Sequence, residues 1–294
     1  MKYLIFGNGW LGKKFQKYLL FSNTQMTDIN ISNKNQIKIA IDTYKPEIVI
    51  NCAGKTGRPN IDWCEENKIA TFSSNVIGPF NLAEICSKEG IKLVHLSSGC
   101  IYEGDNNCKG FSEEDKPNFF GSYYSKTKIL AEEILSEFDV LQLRLRMPID
   151  EQLGERSLVS KLLKYEKIIS LPNSVTIIED LLYAAKRLID KEKTGIYNIT
   201  NPGIITHEEI MNLYKEMVDP SLKFEIFSLE KMLKITKAER SNCILNTNKL
   251  QNEGIHLPEI HLRLREIFEE YKKNKKESEK ALKHLKKVKK TKKN

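Results

Sequence analysis

Tyr124 and Lys128 stand four residues apart in "YYSKTK", at the start of the amphipathic stretch "SKTKILAEEIL". On a helix that spacing is about one turn, so a phenol and an ammonium project from one face. A neighbouring ammonium favours the phenolate and makes Tyr124 a usable proton donor and acceptor for a substrate oxygen. Tyr123 lacks such a partner, because Thr127 occupies the matching position. Upstream, "HLSSGCIY" follows an apolar run and places Ser98 and Cys100 where a strand gives way to a loop, the place where open α/β sheets carry ligands. A third stretch, "GNGWLG" from Gly7 to Gly12, lies between an apolar run and the helix-like "KKFQKYLL". Its glycines suit a tight turn, close approach of backbone to a pyrophosphate and helix packing, with the phosphates at the helix N-terminus. The turn as a whole, Gly7, Gly9, Trp10, Leu11 and Gly12, is therefore a candidate dinucleotide contact, joined by Ala53 and Gly54 at the end of "EIVINCA". With this turn upstream and a Ser-containing strand end about 25 residues before it, the Tyr124–Lys128 pair reads as a site rather than a surface tyrosine and a solvated lysine.

Asp28, in "QMTDIN", lies roughly where a carboxylate reads a ribose 2′-hydroxyl, about 20 residues beyond such a turn. That reading favours NAD; an ordinary turn aspartate is the other. No arginine follows within a few residues to hold a 2′-phosphate, and Lys34 is the nearest cation.

The elements that must position these residues alternate in kind. "KYLIF" (2–6), "EIVINCA" (47–53), "IKLVHLS" (91–97), "VLQLRLR" (140–146) and "GIYNIT" (195–200) read as strands, separated by helical stretches such as "TFSSNVIGPFNLAEICSKEG". This rhythm predicts an α/β fold with a Rossmann-type doubly wound parallel sheet. After Arg146 it breaks: "MPIDEQLGERS" and "LPNSV" are loop-like, and past Gly203 the chain reads mostly helical, with a capping box in "THEE" at Thr206. The expected division is a dinucleotide-binding domain of 1–150 and 174–200, a smaller, mostly helical substrate lobe of 151–173 and 201–270, and a lysine-rich disordered tail of 271–294.

Composition narrows the class. The chain has 294 residues, 40% hydrophobic, and no apolar run near 18, which predicts a soluble protein without membrane contact. The apolar start is short and broken by glycines, so a cytoplasmic location is expected. Six scattered cysteines without a C-x-x-C pair predict free thiols and no metal site. Residues 271–294 hold 12 lysines against two glutamates, a net +10, which leaves the first 270 residues at −2. The basicity belongs to the tail, and no specific nucleic-acid partner is expected.

The chain resembles the extended short-chain dehydrogenase/reductase superfamily, and within it the nucleotide-rhamnose synthase epimerase/reductases, relatives of dTDP-4-dehydrorhamnose reductase. The resemblance rests on "TGRPNIDWCE" (56–65), "GCIYE" (99–103), "EEDKPNFFGSYYSKTK" (113–128), "LRLRMPI" (143–149), "YEKIISLPNSVTI" (165–177), "TGIYNITNPG" (194–203) and "RSNCILNTNKL" (240–250), and spans about residues 2–250. Two departures stand out: the glycine turn is one residue shorter than the family's G-x-x-G-x-x-G, and Ile29 and Asn30 replace a frequent Gly-Arg, which weakens an inference of NADPH specificity.

Carried onto this sequence, the resemblance implies that Ser98, Tyr124 and Lys128 hold the C4 oxygen of a keto sugar, and that Cys100 and Lys161 form the acid/base pair of epimerisation. The hydrogens on C3 and C5 of a 4-keto sugar are acidified because their removal gives an enolate, so one oxygen site serves both inversion and reduction. The activity implied is 3,5-epimerisation and 4-reduction of UDP-4-keto-6-deoxy-D-glucose to UDP-L-rhamnose with NADPH, NADH being the alternative reductant. A separate 4,6-dehydratase is expected to supply the ketone, and the superfamily implies a homodimer. The competing readings are a reductase of dTDP- or UDP-4-dehydrorhamnose only, and a non-catalytic cofactor-binding regulatory subunit. Arg58, Arg146 and Arg240 are candidate clamps for the substrate diphosphate, since a guanidinium fork suits phosphate oxygens, with surface ion pairing as the alternative; Asn173 is a further substrate candidate. Asn75 is expected to bridge backbone behind the site and His95 to be a core residue, while Cys64 and Trp63 receive no chemistry.

Overall fold

Short runs of apolar residues without helical spacing form the centre of the sheet, because each is buried on both faces. The computed structural model describes residues 1–291, with side chains to residue 275. In chain order the strands are β1 (Lys2–Phe6), β2 (Asn23–Thr27), β3 (Ile48–Asn51), β4 (Lys92–Ser98), β5 (Val140–Leu145), β6 (Lys167–Ile168), β7 (Asn173–Val175), β8 (Gly195–Asn198), β9 (Asn201–Ile205) and β10 (Glu225–Ile226). The helices are α1 (Trp10–Tyr18), α2 (Lys34–Tyr44), α3 (Asp62–Glu66), α4 (Lys68–Phe72), α5 (Gly78–Glu89), α6 (Tyr123–Leu135), α7 (Leu158–Leu162), α8 (Ile178–Asp190), α9 (His207–Met217), α10 (Leu229–Leu233), α11 (Asn248–Asn252) and α12 (Ile260–Thr291), with a π turn, Ser73–Ile77, joining α4 to α5.

Six strands form one parallel sheet in the order β2-β1-β3-β4-β5-β8. Buried side chains of α1 and α8 pack on one face and those of α2 and α5 on the other, the doubly wound arrangement expected. The order reverses between β1 and β3, and the crevice at their carboxyl ends is where such sheets bind ligands. All five strand readings coincide with sheet strands, and Thr206 and Glu209 make the capping box.

The chain departs from the expected boundaries at both seams. Leu250, Ile255 and Leu257 pack into the sheet's core, while Ile149, Val175 and Ile177 join the second core with α9 and α12. Bridges Gly104–Cys243, Phe111–Leu245 and Ile149–Ile177 explain this, since each ties a remote segment to its neighbour across the seam. "LPNSV" is not simply a loop: β7 pairs antiparallel with β9.

The lysine-rich segment also differs from its reading as a disordered tail. Helix α12 continues to Thr291, and residues 292–294 lie outside the described residues. Lysine, glutamate, alanine and leucine all favour helix, and a helix already nucleated by a packed face extends at low cost. Among the residues whose side chains are described, that face ends at Tyr271, which is buried in the second core, and the Lys275–Asp219 ion pair beyond it is only partly buried. Truncation after Lys275 is therefore expected to leave turnover unchanged and the melting temperature within about 3 °C, whereas truncation after Ile267, which removes Phe268 and Tyr271, should cost more than about 10 °C or the fold itself. Thermal melts of the two shortened chains check this. Among the described residues no helix is long and apolar enough to cross a membrane.

Candidate active site

The three glycines of the first turn do three different jobs. Gly7 has φ +103°, and a Cβ there would lie 2.7 Å from the Ala53 amide nitrogen, so β1 and β3 turn past each other at contact distance. A Cβ on Gly12 would sit 1.9 Å from the Gly7 carbonyl oxygen, whereas one on Gly9 would meet no atom within 4 Å. The turn is thus closed on the protein side and open beside Gly9, which caps α1 without any side-chain hydrogen bond. Free amides at that helix start suit a pyrophosphate, and the open space beside Gly9 fits the dinucleotide expected there. Trp10 contributes less than expected: its indole donates to Asp150 Oδ2 at 2.8 Å, and Lys14 donates to Oδ1 of the same carboxylate at 2.6 Å.

Asp28 follows β2 directly and is exposed, at the edge of the same crevice. Lys34 is not available to a 2′-phosphate without breaking its 2.6 Å ion pair with Glu84. Behind the turn, Asn51 Oδ1 accepts from the Ala53 amide at 3.0 Å and its amide meets His95 Nδ1 at 3.0 Å. Burial, then Lys128, hold His95 well below the usual imidazole range, so it is a neutral core residue. Asn75, on the π turn, grips Lys55 through both backbone groups, at 2.7 and 2.9 Å, and reaches Thr127 at 3.2 Å.

Ser98 ends β4, in the middle of the sheet, and its Oγ accepts from the Cys100 amide at 3.1 Å. Helix α6 is held against that loop by Ser125, whose hydroxyl donates to the Cys100 carbonyl at 2.6 Å while its amide donates to the N-cap Ser122. Sequence reasoning passed over Ser125, although an S-x-x-S spacing at a helix start is a legible cap. Tyr124 and Lys128 are both buried on this helix. Lys128 Nζ donates to the Leu96 carbonyl on β4 at 3.0 Å, and burial pushes its ammonium down to about 8 against the pull of Glu132. Burial first, and then Cys100, hold the Tyr124 phenol above its usual range, while a hydrogen bond with Ser98 works the other way. The expected lowering of the phenol by Lys128 is outweighed, and Tyr124 is a firmly protonated donor.

Cys100 is half-buried and accepts a hydrogen bond on Sγ from Arg146 Nη1 at 3.1 Å. Lys161, on α7, is coupled to Cys100 by charge: burial and then Arg156 push the Lys161 ammonium down, and Cys100 pulls it up. Cys100 also acts on the Tyr124 phenol, and its amide donates to Ser98, so these residues expected from sequence are linked through Cys100.

The proposed clamp does not survive as a set. Arg146 is 1% exposed and spends its guanidinium on Asn173 Oδ1, the Ser241 carbonyl and Cys100, so it cannot reach a diphosphate. Asn173 is likewise committed, to Arg146, Leu171, Asn242 and the Cys243 amide. The reason for both misreadings is burial, which residue type alone does not reveal. Arg240 is tied to Asp62 at 3.0 Å and to the Ala238 carbonyl at 2.6 Å. Arg58 is exposed on its loop. Arg156, missed in the sequence, donates to Thr56 and Gly57 at 3.3 Å beside Lys161. Trp63 packs where Gly57 lacks a side chain, at 2.8 Å from a Cβ built there, and Cys64 is buried.

Comparison with known proteins decides what this arrangement belongs to. The family model for the RmlD substrate binding domain matches residues 1–149. A bifunctional dTDP-4-dehydrorhamnose 3,5-epimerase/dTDP-4-dehydrorhamnose reductase of Arabidopsis thaliana is 40% identical over 92% of this chain and 94% of its own length. The chain belongs to the RmlD substrate binding domain family. A trifunctional UDP-glucose 4,6-dehydratase/UDP-4-keto-6-deoxy-D-glucose 3,5-epimerase/UDP-4-keto-L-rhamnose-reductase of the same plant is 38% identical, and the chain spans 43% of its length. The crystal structure of a UDP-rhamnose synthase from Acanthamoeba polyphaga mimivirus superposes with a TM-score of 0.88 at 39% identity, covering 92% of this chain and 99% of that one. A dTDP-4-dehydrorhamnose reductase from Bacillus anthracis, solved with NADP, shares the fold at TM-score 0.79 and 22% identity. Like its relatives in the RmlD family, the chain is an enzyme, and the resemblance read from its motifs holds.

Proposed function

We propose that the chain is a bifunctional 3,5-epimerase/4-reductase that converts UDP-4-keto-6-deoxy-D-glucose to UDP-L-rhamnose with NADPH. The observation that supports this reading is the Cys100 thiol just past Ser98, its loop fixed by Ser98 and Ser125, with Arg146 on its sulfur and Lys161 coupled to it by charge: a reductase needs only the Ser98–Tyr124 pair, and an epimerase needs an acid/base pair as well. Identity of 39–40% to a mimivirus UDP-rhamnose synthase and to a plant epimerase/reductase supports it. Gly7, Gly9, Gly12, Ala53 and Gly54 would hold the dinucleotide, with Asp28 at the adenosine ribose, in a cofactor lobe built on the sheet; the second lobe would cover the sugar.

Ser98 and Tyr124 hydrogen-bond the C4 oxygen and stabilise the negative charge that gathers there when a hydrogen leaves C3 or C5. Cys100 and Lys161 move the proton at carbon, and burial of Lys161 eases loss of a proton from its ammonium. A dihydronicotinamide held by the glycine turn would supply the hydride for C4. Tyr124 then gives its proton to the C4 oxygen, and Lys128, poised near neutrality, stabilises the phenolate left behind. A 4,6-dehydratase reaction must supply the keto sugar.

Incubation with NADPH and either UDP- or dTDP-4-keto-6-deoxyglucose, followed by identification of the product, tests the proposal. UDP-L-rhamnose is expected; a product inverted at neither C3 nor C5, or no product from either nucleotide, would overturn it. The reductant carries its own expectation. A carboxylate at the ribose repels a 2′-phosphate, so Asp28→Ser should shift the ratio of NADPH to NADH kcat/KM towards NADPH by about tenfold, equivalent to roughly 1.4 kcal/mol. An unchanged ratio would remove Asp28 from the site.

A further inference from the structure

Strand β5 carries Arg144, and Arg146 follows its end, both 1% exposed, and the two are treated differently. Arg144 forms a bidentate pair with Glu132, at 2.8 Å from Nε and 2.7 Å from Nη2. Arg146 has no carboxylate partner among the described residues: Asn173 Oδ1 accepts from Nε and Nη2 at 3.2 and 2.5 Å, and the Ser241 carbonyl accepts from Nη2 at 2.6 Å. Those acceptors are neutral, and a charge taken out of water without an anion is costly. One of the two Nη1 donors points at Cys100 Sγ, 3.1 Å away. Of the other titratable groups around the guanidinium, Tyr124 is kept protonated by burial although Arg146 pulls the other way. The Cys243 thiol donates to the Gly99 carbonyl at 3.2 Å, and His207 is held by the Ile169 carbonyl and kept neutral by burial, its value pushed down to about 4.

We infer that Arg146 is a positioning residue for the isomerase half of the reaction, fixing Cys100 Sγ through its Nη1 and supplying the positive charge against which that sulfur becomes anionic. The inference rests on the epimerase reading above. In the step it serves, the Lys161 amine takes the proton from the carbon next to the ketone and becomes ammonium. The C–H electron pair moves onto the C4 oxygen as an enolate. Cys100 then gives its S–H proton to the opposite face of that carbon, the enolate pair returns to form the new C–H bond, and the sulfur keeps the S–H pair as thiolate. Return of the Lys161 proton to the thiolate through solvent restores both groups, so no oxidant or reductant is consumed. Asn173 and the Ser241 carbonyl act behind Arg146: by holding Nε and Nη2 they leave Nη1 one direction to face.

The test uses the full chain with Arg146→Met and Arg146→Lys, folding being checked by thermal melting. Three quantities are read: inversion at C3 and C5 of UDP-4-keto-6-deoxyglucose, followed by NMR without reductant, NADPH oxidation with the ready-epimerised ketone, and alkylation of Cys100 by iodoacetamide at fixed pH, followed by peptide mass. A hydrogen bond to a charged group accounts for about 10- to 100-fold. Arg146→Met is therefore expected to lower kcat for inversion about 100-fold with KM within about threefold, to lower Cys100 alkylation about tenfold, and to slow reduction far less than inversion. Arg146→Lys, which keeps the charge, should recover about tenfold of the inversion. Equal losses in the two half-reactions with alkylation unchanged, or a lysine variant no better than methionine, would overturn the inference. Where the methionine variant does not fold, the same decision comes from comparing Arg146→Lys with Arg146→Gln. Absence of inversion by the wild-type enzyme would overturn the epimerase reading instead, and the alkylation ratio still decides whether Arg146 governs the charge on the sulfur.

Discussion

Phenylalanine in place of Tyr124 is expected to slow reduction of a ready-epimerised 4-keto sugar by about 10²- to 10⁴-fold, the usual worth of a positioned general acid. The phenol is buried on α6 and burial keeps it protonated, so the substitution removes the proton that the proposed reduction delivers to the C4 oxygen. Epimerisation should fall as well, because the enolate oxygen loses one of its two hydrogen bonds. Stopped-flow oxidation of NADPH with the epimerised ketone, and deuterium exchange with the unepimerised one, separate the two losses. A decline of less than about tenfold in reduction would mean that the proton comes from elsewhere, and Tyr124 would lose its place in the mechanism.

Cys100→Ala should divide the two reactions in the other sense. The substitution removes a sulfur whose side-chain hydrogen bond, among the described residues, is with Arg146, and it leaves the backbone bonds from Ser125 and to Ser98 in place. Inversion at C3 and C5 is expected to fall by at least about 10³-fold, while reduction of the epimerised ketone stays near the wild-type rate and hydrogen exchange through Lys161 without inversion persists. Some stability should be lost too, because the variant leaves the Arg146 donor facing no acceptor in a buried place. Normal inversion at both carbons in this variant would make Cys100 a packing residue.

How much of this was legible in the sequence follows from where each residue's constraint comes from. The strands buried on both faces, such as "IVIN" and "VLQLRL", announce themselves because burial itself selects apolar, β-branched residues. Strand β2, "NTQMT", does not: it is an edge strand with only β1 beside it, and its polar, half-exposed residues are in register only because β1 is there. The same holds for β7, three residues whose identity as strand depends on β9 arriving from later in the chain. Within the site, Tyr124 and Lys128 were readable because one helix fixes their spacing. Arg146, with partners Cys100 and Ser241, and Asn173, with partners Asn242 and Cys243, were misread because those partners come from segments that no local pattern connects to them. Residue type announced the chemistry each could do, and burial chose among the options.

The long reach of those partners matters during synthesis. Arg146 is separated from the Ser241 carbonyl by 95 positions, and the Ser241 hydroxyl binds the Tyr102 carbonyl 139 positions away. Every strand of the six-stranded sheet has been translated by Asn198, before that segment exists. A chain that has completed all six strands therefore still lacks the segment that holds Arg146 against Cys100, and with Leu250, Ile255 and Leu257 it lacks part of the sheet's own core. The surroundings of Cys100 are among the last parts of the molecule that synthesis can complete.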